Sequence, residues 1–287
     1  MGYNLKKQKG VQAMKRCRAA LVQMDSQSDR EENMRCAEAA VAEAAGRGAE
    51  FVMLPETVEY IGEDFAGHAS RIPGPVSERF AGMARKYEVW LHAGSVTERQ
   101  ERKPCNLTMV FAPDGSLAAM YRKVHLFDVA VEDGPCYRES ANIAAGDGLS
   151  LTDTAIGRIG LSICYDLRFP QMYRLYADRG AEILAVAANF TDTTGAAHWE
   201  PLLRARAIEN TCYVLACGQC GTKPAFKAHG HSMIVDPWGR ILSEAGEEPE
   251  ILYADLEPEA LRKARRQVPC LSNQRNDLYS LTGVVDG

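Results

Sequence analysis

Three separated segments carry side chains suited to nucleophilic catalysis. The first is Ser162-Ile163-Cys164-Tyr165-Asp166-Leu167-Arg168-Phe169-Pro170. An apolar run there predicts a strand, a cysteine stands at the turn, and the proline opens a helix. That is the geometry of a nucleophile elbow with Cys in place of Ser, although the Gly-x-Ser-x-Gly spelling is absent. A helix N-terminus beside the thiol is expected to lower its pKa. The second segment, Phe51-Val52-Met53-Leu54-Pro55-Glu56, places a carboxylate just past a buried strand, where a desolvated glutamate can serve as a base. The third, Met120-Tyr121-Arg122-Lys123-Val124-His125-Leu126-Phe127-Asp128, puts a lysine after a hairpin strand. Beside a thiol, that ammonium would stabilise both a thiolate and an oxyanion. Taken singly, each has a plain structural explanation: a core thiol, a solvated loop carboxylate, a surface lysine.

The elements that must position these groups alternate along the chain. Strands are predicted at 19–24, 50–54, 89–96, 158–163, 183–187, 213–219 and 251–256. Helices are predicted behind Ser28-Asp29-Arg30-Glu31, which has the form of a capping box, from Pro75, from Pro170 to Gly180, and from about Ala196 to Asn210. A short charged helix with Arg262, Lys263, Arg265 and Arg266 follows the last strand. Two hairpins interrupt the alternation. Pro113-Asp114-Gly115 joins 107–112 to 117–122, and Asp236-Pro237-Trp238-Gly239 joins 232–235 to 241–243. The mixture predicts sheets layered between helices in one α/β domain over 14–287, with residues 1–13 a flexible extension.

Composition bounds the function. The 287 residues are 46% hydrophobic and 25% charged, ordinary globular usage, and no internal repeat is found. Lysine and arginine number 33 against 38 acidic residues, a net charge of −5, so no bulk attraction to nucleic acid or anionic membrane is expected. No apolar run reaches the ~18 residues of a membrane span. Lys6, Lys7 and Lys9 are followed by no apolar h-region, so no secretory signal is expected. Nine cysteines, an odd number spread from Cys17 to Cys270, fit a reducing, cytoplasmic setting rather than a disulfide framework.

In order, Glu in Leu-Pro-Glu, Lys in Tyr-Arg-Lys-Val-His-Leu-Phe-Asp and Cys in Cys-Tyr-Asp-Leu-Arg-Phe-Pro resemble the Glu-Lys-Cys triad of the nitrilase, or carbon–nitrogen hydrolase, superfamily. The resemblance runs from about Arg18 to Tyr279. It includes Thr193-Thr194-Gly195-Ala196-Ala197-His198-Trp199-Glu200, 203–210 and Gly230-His231-Ser232-Met233-Ile234-Val235-Asp236-Pro237-Trp238-Gly239. These stretches are most similar to the Nit branch of deaminated-glutathione amidases and ω-amidases. The resemblance implies an α-β-β-α sandwich, a homodimer, no cofactor and a small amide substrate. It implies Cys164 as nucleophile, Glu56 as general base, Lys123 at the oxyanion, the Tyr165 amide completing the oxyanion hole and Glu139 holding Lys123. It also implies Arg168 on a substrate carboxylate, with Phe190 and Thr194 in the pocket. The loop from Val129 to Tyr137 departs from the branch. N-carbamoyl amino acid hydrolysis and nitrile hydrolysis use the same triad.

Other classes compete. His198-x-Glu200 with Cys217-x-x-Cys220 echoes a zinc deaminase signature, but Ala216 stands where that signature has proline. An odd interval on one strand would also turn the two thiols to opposite faces. A catalytically inactive binding protein is the third possibility. For Arg168 the structural alternative is an ion pair with Asp166 at the helix start. For Trp199, Leu202, Leu203 and Ala207 it is core packing.

Overall fold

The computed structural model describes residues 14–130 and 136–286, so the extension expected at 1–13 lies outside the described residues. The chain opens with β1 (Cys17–Gln23), α1 (Arg30–Gly46), β2 (Phe51–Met53), α2 (Pro75–Tyr87), β3 (Trp90–His92) and β4 (Val96–Glu98). Next come β5 (Cys105–Phe111), β6 (Leu117–Arg122), β7 (Asp128–Ala130), β8 (Cys136–Arg138), β9 (Leu149–Thr154) and β10 (Gly157–Ile163). Then follow α3 (Pro170–Asp178), β11 (Ile183–Ala188), α4 (Asp192–Asn210), β12 (Tyr213–Gly218), β13 (Met233–Val235), β14 (Ile241–Glu244), β15 (Glu250–Leu256), α5 (Pro258–Gln267) and β16 (Val285–Asp286).

Two seven-stranded sheets form. One runs β15-β1-β2-β3-β5-β4 with β6 added on β5, and the other runs β14-β13-β12-β11-β10-β9-β16. At the centre of the first, β1, β2 and β3 are parallel; at the centre of the second, β10, β11 and β12 are parallel. Alternation along the strands sorts the layers. Ala19, Leu21, Phe51 and Met53 face the second sheet, while Ala20, Val22, Val52 and Leu54 face Met34, Val41, Phe80 and Met83 of α1 and α2. Behind the second sheet, Tyr173 and Tyr176 of α3 and Trp199, Leu203 and Ala207 of α4 close the core. The result is the α-β-β-α sandwich, and the core explanation of Trp199, Leu203 and Ala207 holds. Each large apolar side chain so buried contributes about 1.5–3 kcal/mol.

Local details depart from the sequence expectations. Helix α1 is capped by Asp29, whose carboxylate accepts from Glu32 N at 3.0 Å, one residue beyond the Ser28 capping box. The strand expected over 89–96 is two strands, broken at Gly94. That glycine has φ +62, and a Cβ there would lie 2.0 Å from Pro55 O, so only glycine fits beside the segment that carries Glu56. Helix α4 begins at Asp192 rather than near 196. Tertiary bonds override the weak helix formers of its first turn: Asp192 N donates to Lys227 O at 2.8 Å, and the Thr191 and Thr194 hydroxyls meet at 2.8 Å. Strand β9 was not expected. Its buried positions include Ser150, Thr152 and Thr154, so apolar alternation does not mark it.

Candidate active site

Parallel strands place the reactive groups at their carboxyl ends, where open sheets hold ligands. Glu56 follows β2, Asn189 follows β11, and Cys164 follows β10 directly. Cys164 has φ +50, a left-handed conformation that is costly for a side chain with a Cβ. It opens a five-residue 3-10 turn, Cys164–Arg168, ahead of Pro170 and α3. Asp166 holds this elbow. Its buried carboxylate accepts from Ile163 N at 2.8 Å, the Tyr121 hydroxyl at 2.7 Å and His125 N at 3.1 Å, and meets the His125 ring at 2.8 Å. Asp166 is thus fully engaged, and the Arg168–Asp166 ion pair does not form. Arg168 instead donates to His198 Nδ1 at 3.1 Å and lies over the rings of Phe190 and Tyr165, at 5.1 and 5.8 Å.

Glu56 is gripped on both oxygens. Oε1 accepts from Asn106 Nδ2 at 2.8 Å and Lys123 Nζ at 3.1 Å; Oε2 accepts from Asn189 N at 2.6 Å. Gln219 Nε2 donates to the Glu56 carbonyl at 2.9 Å. Lys123, just after β6, also donates to both Glu139 oxygens, at 3.1 and 2.9 Å. Glu139 is fixed in turn by Phe127 N, 2.6 Å from its Oε2.

Burial alone works against charge on Lys123, but the Glu139 and Glu56 carboxylates overcome it and hold the ammonium well above its ordinary pKa. Lys123 is therefore a permanent cation. The thiol of Cys164 behaves oppositely to the sequence expectation. Burial and then the Glu56 charge push it well above the ordinary thiol value, against the opposing pull of Lys123 and the Asn189 amide. Burial thus favours a neutral Cys164 thiol beside the Glu56 carboxylate over a standing thiolate. Lys123→Met leaves the buried Glu56 carboxylate and the partly buried Glu139 carboxylate without the cation they share. We expect it to cost about 3–5 kcal/mol of stability and roughly 10²–10³ in rate. Thermal melting and initial rates check this, and an unchanged melting midpoint would count against the buried triad.

These groups converge on one cavity of about 300 Å³, lined by Glu56, Lys123, Glu139, Cys164, Tyr165, Phe190 and Thr194 among others. Seven of the eight residues expected at the site thus share its wall, and Arg168 stands behind Phe190 and Tyr165.

The chain matches the carbon–nitrogen hydrolase family over residues 18–266. The chain belongs to the carbon–nitrogen hydrolase family. An omega-amidase NIT2 of Mus musculus is 40% identical over 267 residues, 92% of this chain and 97% of its own. A deaminated glutathione amidase of Synechocystis is 41% identical over 269 residues, covering 91% of this chain and 99% of that one. The crystal structure of the C. elegans NitFhit protein superposes with a TM-score of 0.87 at 37% identity, covering 94% of this chain and 68% of that chain.

In this hydrolase the zinc-deaminase constellation does not assemble. His198 is exposed on α4 against Arg168, and Glu200 pairs with Arg204. Cys217 Sγ donates to the carbonyls of Val22 and Met53 between the sheets. Cys220 lies beyond the end of β12 and meets Met24 O, so the two thiols do not occupy opposite faces of one strand. Among the described residues no group of three or more His, Cys, Asp or Glu is placed to hold a metal. Sequence reasoning missed Asn106, Asn189 and Gln219, and gave Asp166 only as a partner for Arg168. One signal was available: Asn106 is a polar residue inside the buried run of β5, and such a group must have a partner.

Proposed function

We propose that this hydrolase cleaves the primary amide of a small carboxylate-bearing acid through a cysteine thioester, releasing ammonia. The observation that carries the proposal is the placement of the Glu56 carboxylate between the Lys123 ammonium and the Asn189 amide, beside the Cys164 thiol at the cavity wall. Cys164 Sγ attacks the amide carbon as Glu56 takes the thiol proton. Negative charge develops on the carbonyl oxygen, facing Lys123 and the Tyr165 backbone N–H at the start of the 3-10 turn. Glu56 returns the proton to the leaving nitrogen, the C–N bond breaks, and ammonia departs from a thioester. Glu56 then deprotonates water, which attacks the thioester. The thiolate leaves and regains the proton. Glu139 keeps Lys123 charged and aimed.

On the substrate side the proposal assigns Phe190 and Thr194 on the cavity wall, with Arg168, which lies over the Phe190 and Tyr165 rings outside that wall, supporting them. The names of its relatives give an ω-amide and deaminated glutathione as substrate classes, and the ω-amide proposed is that of a 2-oxo acid. We propose a cytoplasmic homodimer, with the exposed Ile208, which packs on Gly239, and the exposed Trp238 beside that glycine in the contact. Sedimentation at micromolar concentration reads that state. The catalytic test is ammonia release from 2-oxoglutaramate, deaminated glutathione, glutamine, an N-carbamoyl amino acid and a nitrile, with a methyl ester matched to each acid. Release confined to the carbamoyl compound or the nitrile overturns the amide assignment. Equal hydrolysis of acid and ester overturns carboxylate recognition.

A further inference from the structure

Three cations line the cavity among the described residues: Lys123, Lys223 and Arg138. Two are already neutralised. Lys123 sits between Glu56 and Glu139, and Lys223 is buried against Asp25 Oδ1 at 2.6 Å and Ser26 O at 3.0 Å. Arg138 differs. It is exposed, it is the last residue of β8, and it forms no ion pair or side-chain hydrogen bond with a described residue. Its cross-strand partner in the ladder is Asp128. That carboxylate is engaged elsewhere, accepting from Ser140 N at 2.9 Å and Ser140 Oγ at 2.6 Å. The charge on Arg138 acts on Asp128 only as a minor influence behind those two bonds.

The position of Arg138 is fixed by its neighbours. Tyr137 packs its ring against Phe127 at 5.1 Å and against Phe226 at 6.0 Å, and Glu139 is tied to Lys123. The backbone of Arg138 is therefore held between two anchored residues, and the residue lines the cavity. Apolar side chains, including Ile61, Phe65, Phe127 and Phe226, make up much of the remaining wall. They offer an anion nothing. A planar guanidinium pairs both oxygens of a carboxylate.

Resting on the proposed amidase function, we infer that Arg138 is the specificity-determining cation for the far-end carboxylate of the substrate, ahead of Arg168, which stands behind the wall. The substrate class is an ω-amide acid short enough to span from Cys164 to the β7–β8 hairpin. The amide end meets Cys164, and the acid end meets the Arg138 fork.

The test compares kcat/KM for 2-oxoglutaramate and its methyl ester in wild type, Arg138→Gln, Arg138→Lys, Arg138→Glu and Arg168→Ala. Arg138→Gln should lower kcat/KM for the acid about tenfold, chiefly through KM, and leave the ester unchanged. Arg138→Lys should recover part of the loss, because charge returns without the fork. Arg138→Glu should favour the ester over the acid. The wild-type preference for the acid should shrink as salt rises, since the cation is exposed. Equal losses on acid and ester in Arg138→Gln would mean that the residue acts through Glu139, and would overturn the inference. Preference retained in Arg138→Gln but lost in Arg168→Ala would also overturn it, leaving carboxylate recognition intact. No preference for the acid in wild type would overturn carboxylate recognition itself, and absence of ammonia release from both compounds would overturn the amidase function.

Discussion

Cys164→Ala is expected to reduce amide hydrolysis on the order of 10⁴–10⁶-fold, as removal of a nucleophile from an interdependent catalytic set does. Cys217→Ala and Cys220→Ala are expected to keep most of the activity. The reason is geometric. Only Cys164 stands at a strand end on the cavity wall, beside a carboxylate and an ammonium. Cys217 instead donates to main-chain carbonyls between the sheets, and burial pushes its thiol far above the ordinary value. Its replacement by alanine leaves a small void and two orphaned contacts, so stability falls while chemistry continues. Initial rates of ammonia release on variants with matched circular dichroism decide the point. Comparable losses in folded Cys164→Ala and Cys217→Ala would remove Cys164 from its role. Alkylation by iodoacetamide faster at Cys164 than at the exposed Cys36 and Cys136, although the Cys164 thiol is buried with a raised pKa, would mark activation by Glu56 and separate a working enzyme from an inactive binding protein.

Glu56→Gln is expected to lower kcat by about 10²–10⁴ while the fold survives. The amide keeps the shape of the carboxylate but cannot take the thiol proton. Asn189 N can still donate to a glutamine oxygen, and Lys123 keeps Glu139 as a partner. The pH dependence adds a sign. Lys123 sets no limb near neutrality, because its pKa lies well above the ordinary lysine value. In Glu56→Gln the thiol must ionise to solvent. Its pKa is raised mainly by burial, with the Glu56 charge adding to it, so removal of that charge lowers the pKa only in part. The residual rate should therefore climb with pH through the alkaline range rather than level off. Full activity in Glu56→Gln, or a residual rate independent of pH, would sink the assignment of the base. Asn106→Ala supplies a milder control, since it removes one donor to Glu56 Oε1 and leaves the carboxylate in place.

Much of this molecule was legible one segment at a time. The strand-then-reactive-residue pattern at Leu54-Pro55-Glu56 and Ile163-Cys164-Tyr165 is local, because an apolar run ending at proline or at a tight turn dictates its own backbone. The hairpins at 113–115 and 236–239 were legible for the same reason. In the second, Asp236 Oδ1 accepts from Trp238 N at 2.8 Å and Arg240 N at 2.9 Å, a bond pattern written within five residues. The continuous apolar runs of β1 and β2 marked strands, and the fold covers these strands on both faces.

What stayed hidden was every property set by partners far along the chain. Lys123 meets Glu56 across 67 residues, and Asn189 N meets it across 133. No window of sequence contains both ends of such a bond. The direction of the Cys164 pKa belongs here as well. The local helix start argued for a lowered value, but burial by other elements and the Glu56 charge raise it. Arg168 and Arg138 show the same division. By position, Arg168 follows the nucleophile and Arg138 is one more charge on an irregular hairpin. The fold turns Arg168 to His198 behind an aromatic wall and leaves Arg138 on the cavity without a described counter-ion. Residue types and their local backbones were determined by the sequence alone. Charge state, pairing and access were decided by the tertiary structure, because electrostatic energy depends on distances and desolvation that only the packed chain sets.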